Sequence, residues 1–530
     1  MSRESDIGAI SATEGEAEIT QLGQPRNTCP SVERIPPEIL GCIFQMSLEP
    51  LLPRDGDTRF AGIQTDSYNF LLVCRHWYEV ACCSPELWSS WGSNLEEWRR
   101  RCLRHGTSPL DLVLDGEHGD QDTSLDESLK DALKNRAARD LIRSVHLRGP
   151  DGDLLTSIVS SLTPEDEGIR YSSVESIILT GVDASDFLVR HRFPKLRDLA
   201  LIRCPVVPFN HLKSHAKALI NLSIRHGNVP LPASLPTTSQ ILSLLASNPN
   251  IQTFTLHFVA IDDDIKGDHR FRVPLRHLKR FSLATEFRRA LTILQQVEFH
   301  DNMDRFHLSF LGCTPTEVRQ LIGPFIRDHL QRDIRSKARL CISIGTTTRG
   351  LSLKASVVGV GQPLHERGLA YAIFAVPLPR TTPQEEKNKL CIDILALLPK
   401  EHIAFLETDL PTSGMEELLL SMPNIEGLNL SNAVISDWFL LPNRDGPNPH
   451  KKLLPSLKWL YLEDTVTVEK SWDPFIQYLI HQTSGGQPIS LSVFGRGTHV
   501  CEKVWKVIED LVEDFIYIPD QSFKGCPLGC

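Results

Sequence analysis

Residues with chemical reactivity are plentiful in this sequence, but they do not form the motifs that enzymes use. Glycines follow an apolar run at Gly359 and Gly361, as in a phosphate-binding turn, yet a third glycine and a following helix are missing. The 19 histidines are mostly isolated, and single ones such as His76 are more often satisfied surface or core residues than ligands. We therefore expect no catalytic residue, no metal site and no cofactor.

The 13 cysteines likewise lack the spacing of metal ligands, since there is no CxxC pair and no histidine at zinc spacing. This pattern predicts reduced, mostly buried thiols in a cytosolic or nuclear protein. The sequence ends at Cys526 to Cys530, which is not a prenylation box because Pro527 stands fourth from the end.

Composition points to a folded, soluble protein. Lys and Arg number 56 against 66 Asp and Glu, a net charge of -10, which does not favour nucleic-acid binding. Residues 1–28 are polar and acidic without a secretory signal, so we expect a disordered tail. No apolar run is long enough for a membrane helix. We expect a soluble protein of the cytoplasm, the nucleus or both.

A binding surface needs secondary structure to hold it, and the first predicted element is a helix near the N-terminus. Pro36 and Pro37 suit the first turn of a helix, and Glu38 lies near the positive end of its dipole. Apolar residues then recur four apart on adjacent rows: Ile39 with Ile43, and Leu40 with Phe44. The spacing predicts one amphipathic helix.

Two further blocks predict two more short helices. One carries an apolar stripe with steps of four, three and four residues: Phe70, Cys74, Trp77 and Ala81. The other starts with Ser84, Pro85 and Glu86, in the order that helix capping prefers. A bundle of this size cannot bury all of these side chains, so we expect a partner to cover some of them.

Together these blocks resemble the F-box family, at residues 35–44, 73–77 and 85–88. The polar insert at about 49–67 departs from the usual short connection, although fungal members often carry one, and we expect a flexible excursion there. The resemblance implies docking to a Skp-type adaptor and, through it, to a cullin. The implied docking residues are Ile35, Pro36, Ile39, Leu40, Ile43, Phe44, Leu72, Val73 and Trp77. The alternative is the core of an ordinary helical domain.

A second pattern, Leu-x-x-Leu-x-Leu with related apolar residues allowed, recurs along the rest of the chain. It starts at Ile142, Val174, Leu196, Leu219, Ile251, Leu278, Ile425 and Leu457. In four units a proline stands two residues before the start: Pro194, Pro249, Pro423 and Pro455. Strands alternating with helical segments resemble the irregular leucine-rich repeats that often follow an F-box. The asparagine or cysteine that such repeats carry after the strand occurs once, as Cys204. A generic α/β core remains the alternative.

The expected fold class is α+β, with a small three-helix F-box followed by an α/β leucine-rich-repeat solenoid shaped like a horseshoe. The expected domains are a tail at 1–28, the F-box at 31–92, linker helices and a first strand at 93–141, repeats at 142–515 and a tail at 516–530. Degenerate repeats are expected to continue between 284 and 410, with a polar loop at 377–389. A capping box is expected at Ser413 to Glu416, and a closing helix near the end.

The resemblance implies a substrate-recognition subunit of an SCF ubiquitin ligase, without catalytic residues of its own. Strand alternation sends the residues between the leucines to the face that would receive an unknown protein substrate. The candidates are Arg225, His257, Arg280, Asn429, Trp459, Tyr461 and Glu463. The alternative is a repeat scaffold that is not coupled to ubiquitination.

Overall fold

The structure is a computed structural model of the 530-residue chain. It describes residues 35–47, 73–84, 87, 90–91, 109–115, 140–148, 171–183, 185–204, 207, 209–215, 217–226, 236–257, 261, 272–299, 303–322, 324, 327, 339–347, 350–358, 372–379, 381–411, 415–431, 454–463, 472–484, 488–495 and 502–519. The chain divides into two compact units, unit 1 at Met1–Val113 and unit 2 at Leu114–Cys530.

Unit 1 contains the helices α1 (Pro37–Ser47) and α2 (Arg75–Cys82), the strand β1 (Ser90–Trp91) and the first four residues of β2 (Leu110–Asp115), which pairs parallel with β1. Helix α1 begins as the sequence predicts, with Glu38 in its first turn. The first intrahelical bond runs from the Leu40 N–H to the Pro36 carbonyl at 3.0 Å.

A buried cluster in unit 1 is formed by one side of α1, the end of α2 and Leu87. Its buried residues are Leu40, Phe44, Val80, Ala81 and Leu87, and Ile35 and Trp77 pack against them. The rings of Phe44 and Trp77 meet edge to face with 5.2 Å between centroids, a favoured aromatic geometry. The third predicted helix is described only at Ser84 and Leu87, and the tail and the 49–67 insert lie outside the described residues.

Unit 2 is built from strands separated by helices. Its strands are β3 (Ile142–Arg148), β4 (Ser176–Thr180), β5 (Asp198–Ile202), β6 (Asn221–Arg225), β7 (Thr253–His257), β8 (Val273–Leu275), β9 (Arg280–Glu286), β10 (Val297–Phe299), β11 (Arg305–Leu311), β12 (Arg339–Thr347), β13 (Gly350–Val358), β14 (Ala372–Pro377), β15 (Ile403–Thr408), β16 (Gly427–Ser431), β17 (Trp459–Glu463), β18 (Ser490–Gly495) and β19 (Asp514–Pro519).

The helices of unit 2 are α3 (Ser185–Arg190), α4 (Phe209–His215), α5 (Thr238–Ser247), α6 (Phe287–Gln296), α7 (Pro315–Glu317), α8 (Gln384–Leu397), α9 (Glu416–Leu420), α10 (Trp472–Thr483) and α11 (Glu502–Glu509). A π-helical turn, Val318–Ile322, continues α7, and a 3₁₀ turn, Lys400–His402, precedes β15. Helices α5 and α7 start with the capping boxes Thr237–Gln240 and Thr314–Glu317.

The strands pair in sequence order as parallel neighbours from β3 to β7, and then through β9 to β11. They do so again from β15 to β19. The small strands β8 and β10 form a separate parallel pair. This parallel ladder of leucine-rich strands confirms the predicted repeat architecture for unit 2.

Proline shapes the entry into four of these strands. In each case a backbone N–H bonds to the carbonyl three residues earlier, as in Leu196 to Phe193 at 3.1 Å and Leu457 to Leu454 at 3.2 Å. The proline is the second residue of the turn, where its fixed φ is preorganised. It therefore forms a β-turn into the strand.

The core lies on the leucine face of the sheet, where the repeated apolar residues are almost wholly buried. On β7, β9, β11 and β14 a phenylalanine takes one of the core positions. The rings of Phe254, Phe281, Phe306 and Phe374 stand 5.6, 5.5 and 5.8 Å apart between successive centroids. This row of phenylalanine rings fills the core in the strands where the leucine pattern is no longer recognisable.

The expectation of degenerate repeats between 284 and 410 is wrong for the segment after β11. Strand β14 pairs parallel with β11, β13 lies antiparallel between β14 and β12, and β12 pairs parallel with β15. The spatial order of these strands is therefore β11, β14, β13, β12, β15. The chain passes from β11 to β12, returns through the antiparallel β13 to β14 beside β11, and then crosses to β15 beside β12. Gly350, with a φ of +152°, is the first residue of β13 and pairs with Thr347 of β12.

Two smaller expectations are also corrected. The polar loop predicted at 377–389 ends in α8, because Glu385 and Glu386 occupy its first turn and an apolar stripe follows. The predicted capping box at Ser413 to Glu416 is not among them, because Ser413 lies outside the described residues. Strand β19 pairs with β18 as far as Pro519, so the sheet extends past the predicted boundary at 515.

Candidate interaction surfaces

Unit 1 exposes an apolar row next to its filled interior. Ile39 is 53% exposed, Ile43 37%, Met46 77% and Val73 54%. The three residues of α1 step by four and three, so they follow one side of the helix. Sequence reasoning missed Met46, although the same periodicity predicts its position.

The structure divides the predicted docking residues into two groups. Pro36, Ile39, Ile43 and Val73 are exposed. Leu40 and Phe44 are buried, with Ile35 and Trp77 packed against them. Leu40 and Phe44 therefore hold the helices together, because buried side chains offer no surface to a partner. Ile35 and Trp77 are half-buried and keep some exposed surface. Leu72 lies outside the described residues.

The second surface is the face of the unit 2 sheet opposite the leucines, which we call the polar face. The predicted substrate-binding residues all lie on it but fall into two groups. Arg225, His257 and Arg280 occupy β6, β7 and β9. The others, Asn429, Trp459, Tyr461 and Glu463, occupy β16 and β17. Six strand spacings separate β9 from β16, roughly 30 Å at the usual interval, so the two groups are separate sites.

In the first group, a hydrogen-bonded chain crosses three strands. His257 Nε2 lies 2.6 Å from Ser282 Oγ, which lies 2.9 Å from His307 Nδ1. The Ser282 hydroxyl has one hydrogen, so it donates to one imidazole and accepts from the N–H of the other. The tautomers of the two neutral rings are therefore coupled.

Both histidines of this chain are held in the neutral form. Burial lowers the pKa of His257 to about 4, and the charges of His307 and Arg225 add to the effect. Burial, followed by the charge of Arg305, lowers the pKa of His307. Protonation at this site is opposed by desolvation and by neighbouring cations.

Arginines surround the histidines. Arg280 and Arg305 stand directly opposite each other on β9 and β11, and Arg225 pairs in register with His257. Sequence reasoning missed Ser282, Arg305 and His307. The alternation of Phe306, Leu308 and Phe310 predicts that His307 lies on the polar face. Only the observed register between β9 and β11 shows that it lies beside Ser282.

The second group surrounds a glycine. Phe405, Gly427 and Trp459 are in register on neighbouring strands, as are Asn429 and Tyr461 one row further along. The Phe405 ring is 3% exposed and lies 6.0 Å from the Tyr461 ring between centroids. Trp459 and Tyr461 are half-buried, so both keep some exposed surface.

Polar groups complete this second site. Asn429 is buried, and its side-chain oxygen has no hydrogen-bond partner within the described part of the chain. Glu426 binds Arg339 at 2.6 Å and Lys458 at 3.1 Å. The Lys458 ammonium lies 5.8 Å from the centroid of the Trp459 ring, within cation–π range.

Metal-ligating side chains and cysteines are dispersed within the described ranges. No three His, Cys, Asp or Glu side chains are grouped as a metal site requires. The described cysteines are free thiols, and burial raises the pKa of Cys204 and of Cys391 to about 12. No described helix is long and apolar enough to cross a membrane.

Comparison with known proteins adds little. No protein-family model matches the chain, and no curated protein matches it. Among solved structures, a leucine-rich-repeat protein of Leptospira interrogans is similar with a TM-score of 0.31 at 12% identity, over 75% of this chain and 92% of that one. The repeat architecture of unit 2 rests on the strand pairing of the chain itself.

Proposed function

We propose that this chain is the substrate-recognition subunit of an SCF-type ubiquitin ligase. Unit 1 docks on a Skp-type adaptor that in turn binds a cullin, and the polar face of unit 2 binds the target protein. The cytoplasm or the nucleus, where this machinery acts, is the proposed location. The chain contributes binding surfaces and leaves the transfer of ubiquitin to its partners.

The observation that carries the proposal is the exposed apolar row of unit 1. Ile39, Ile43 and Val73 belong to the blocks that resemble an F-box, and their side chains are exposed beside an interior that Leu40 and Phe44 already fill. Clustered exposed apolar side chains are typical of a protein contact surface. The polar face supports the second half, because its polar and aromatic side chains suit protein recognition.

Co-purification from cells tests the adaptor contact. Replacing Ile39 and Ile43 with Ala should lower capture of the adaptor at least about tenfold, as for central apolar contacts, while the unfolding temperature stays unchanged. The matched control is Ile480→Ala, which truncates an isoleucine of α10 that is 42% exposed. Wild-type capture by the double variant would overturn the docking assignment.

A repeat scaffold that is not coupled to ubiquitination is the second candidate, because the repeats of unit 2 alone suffice for protein binding. The cullin separates the two functions. A ligase subunit should co-purify with the cullin as well as the adaptor, and its partners should become ubiquitinated. Partners captured without the cullin and without ubiquitin would favour the scaffold.

A further inference from the structure

We propose that the polar face around Asn429 and Tyr461 binds an arginine side chain of the target protein. The aromatic site consists of Phe405, Asn429, Trp459, Tyr461 and Glu463. The inference rests on the proposed function for its biological role, since it names the residue type that the target presents. The binding of arginine itself is a property of this chain alone.

Aromatic rings are the first argument. Trp459 and Tyr461 pack against the buried Phe405 ring and are themselves half-buried, so their rings are held in place and keep some exposed surface. The Lys458 ammonium lies 5.8 Å from the centroid of the Trp459 ring, which shows that a cation is accommodated at this part of the sheet. The planar guanidinium of arginine stacks on aromatic faces, and it is more weakly hydrated than an ammonium. The rings therefore favour arginine.

The buried oxygen of Asn429 is the second argument. Asn429 is 6% exposed, and its side-chain oxygen accepts no hydrogen bond from the described residues. Such an acceptor lowers stability until a donor reaches it. Tyr461 is the register partner of Asn429, so a long side chain that stacks on Tyr461 and turns its ring aside brings its N–H groups to this oxygen. Arginine has the length and carries five N–H donors in one plane.

Charge is the third argument. By strand alternation, the polar-face positions of β15 to β19 carry three carboxylates, Glu407, Glu463 and Asp514, and neither lysine nor arginine. Glu463 is exposed and stands two residues along β17 from Tyr461. A guanidinium that stacks on Tyr461 can therefore pair with this carboxylate, and pairs of this kind form strong hydrogen bonds.

The nearby cations lie at the borders of the aromatic site. Arg339 and Lys458 both pair with Glu426, at 2.6 and 3.1 Å. Lys354, on β13, stands in the register row of Asn429 but three strand spacings away, roughly 14 Å. The register neighbours of Tyr461 are Asn429 and Ser492, which carry no charge. No cation of the described strands therefore stands directly beside the position proposed for the bound arginine.

The test uses the full chain without adaptor and a fluorescein-labelled hexaarginine peptide, followed by fluorescence anisotropy at physiological salt. Trp459→Ala and Asn429→Leu should each weaken binding at least about fivefold, because each removes a central contact. Asn429→Asp keeps an acceptor oxygen at the same position, so it should bind hexaarginine at least as tightly as wild type. This rescue separates loss of the acceptor from loss of the fold. Unchanged affinity in Trp459→Ala and Asn429→Leu would place the peptide elsewhere and refute the site.

Matched controls separate arginine recognition from general attraction to an acidic protein. Glu463→Gln should weaken binding at least about twofold. Glu298→Gln removes the same charge from an exposed position of β10 and should leave the affinity unchanged. Hexalysine should bind at least about threefold more weakly than hexaarginine, because an ammonium cannot stack as a plane or form paired hydrogen bonds. Equal losses in the two glutamate variants, or equal affinities for the two peptides, would overturn the proposal.

An arginine of the same chain is the competing occupant. Arg444 belongs to the sequence between β16 and β17. If hexaarginine binds only after Arg444 is replaced with Gln, the aromatic site serves an internal contact and the partner proposal is wrong. Because adaptor and cullin are absent from every arm, failure here leaves the proposed ligase function standing, and loss of adaptor docking leaves this result standing.

Discussion

The ring of Phe405 lies over the backbone of Gly427, and a Cβ at position 427 would come within 2.8 Å of Phe405 Cε2. These two residues are register partners on β15 and β16. The glycine therefore creates the space that an aromatic side chain on the polar face occupies. The second candidate site is organised around this contact, since the Phe405 ring in turn meets Tyr461.

We expect Gly427→Ala to destabilise unit 2 by about 1–3 kcal/mol, the usual cost of overpacking. Urea unfolding followed by circular dichroism measures the loss. Phe405→Leu removes the ring, so the double variant should recover part of the stability, and the coupling energy between the two sites should exceed ~0.5 kcal/mol. Additive effects would show that the ring moves away at no cost.

Gly350, the first residue of β13, provides a second prediction. Its φ of +152° is a conformation that side chains rarely adopt, and a Cβ there would come within 2.8 Å of Pro377 Cα. Gly350→Ala should therefore cost more than about 2 kcal/mol, from backbone strain and the steric clash together. Gly312→Ala is the control, because φ is +72° with nothing near the added Cβ, and strain alone costs about 1 kcal/mol. Equal losses would contradict the clash.

The leucine repeats could be predicted because the alternation of apolar and polar residues is visible within the sequence of each single strand. The pattern that starts at Ile142, Leu196 and Leu457 falls on β3, β5 and β17, where the leucines fill the core. The meander from β12 to β14 could not be predicted in this way. Alternation identifies a strand but does not specify its partner or direction, so parallel repeats and an antiparallel excursion look alike.

The candidate sites could also be predicted only in part, because a sequence pattern gives the face on which a residue lies but not its neighbours on other strands. Alternation places Arg225, His257 and Arg280 on one face without any knowledge of pairing. The His257–Ser282–His307 chain also requires the register between strands 25 residues apart. In unit 1, the i,i+4 spacing treats Ile39 and Leu40 alike, but packing against Val80 and Ala81 buries only Leu40.

The lowered pKa of His257 predicts a pH dependence of stability. Its folded pKa is about 4, below the ordinary 6.5 that it regains on unfolding. The unfolded chain therefore binds the proton more readily, so stability is complete above pH 6.5 and falls as the pH decreases toward 4. The loss from this group is on the order of 3 kcal/mol.

Urea unfolding at pH 7.5 and pH 4.5 measures this effect. His257→Gln keeps a hydrogen-bonding side chain without an imidazole, so its stability should fall less between the two pH values than that of wild type. His277→Gln, at an exposed position of the turn before β9, is the matched control. The same pH dependence in wild type and His257→Gln would show that His257 is not the titrating group.

The last prediction concerns Trp459 and Tyr461, which share β17 and both pack against the buried cluster of Cys341, Ala404 and Phe405. Tyr461 contacts the buried Phe405 ring, so Tyr461→Ala should cost about 0.5–1.5 kcal/mol in stability from the lost aromatic pair alone. Trp459 keeps exposed surface on the polar face, and binding hot spots are enriched in Trp. Trp459→Ala should therefore reduce recovery of ubiquitinated partners at least about tenfold without changing adaptor capture. The control is Tyr461→Phe, which keeps the ring contact. Unchanged partners from Trp459→Ala would place target binding elsewhere on the polar face.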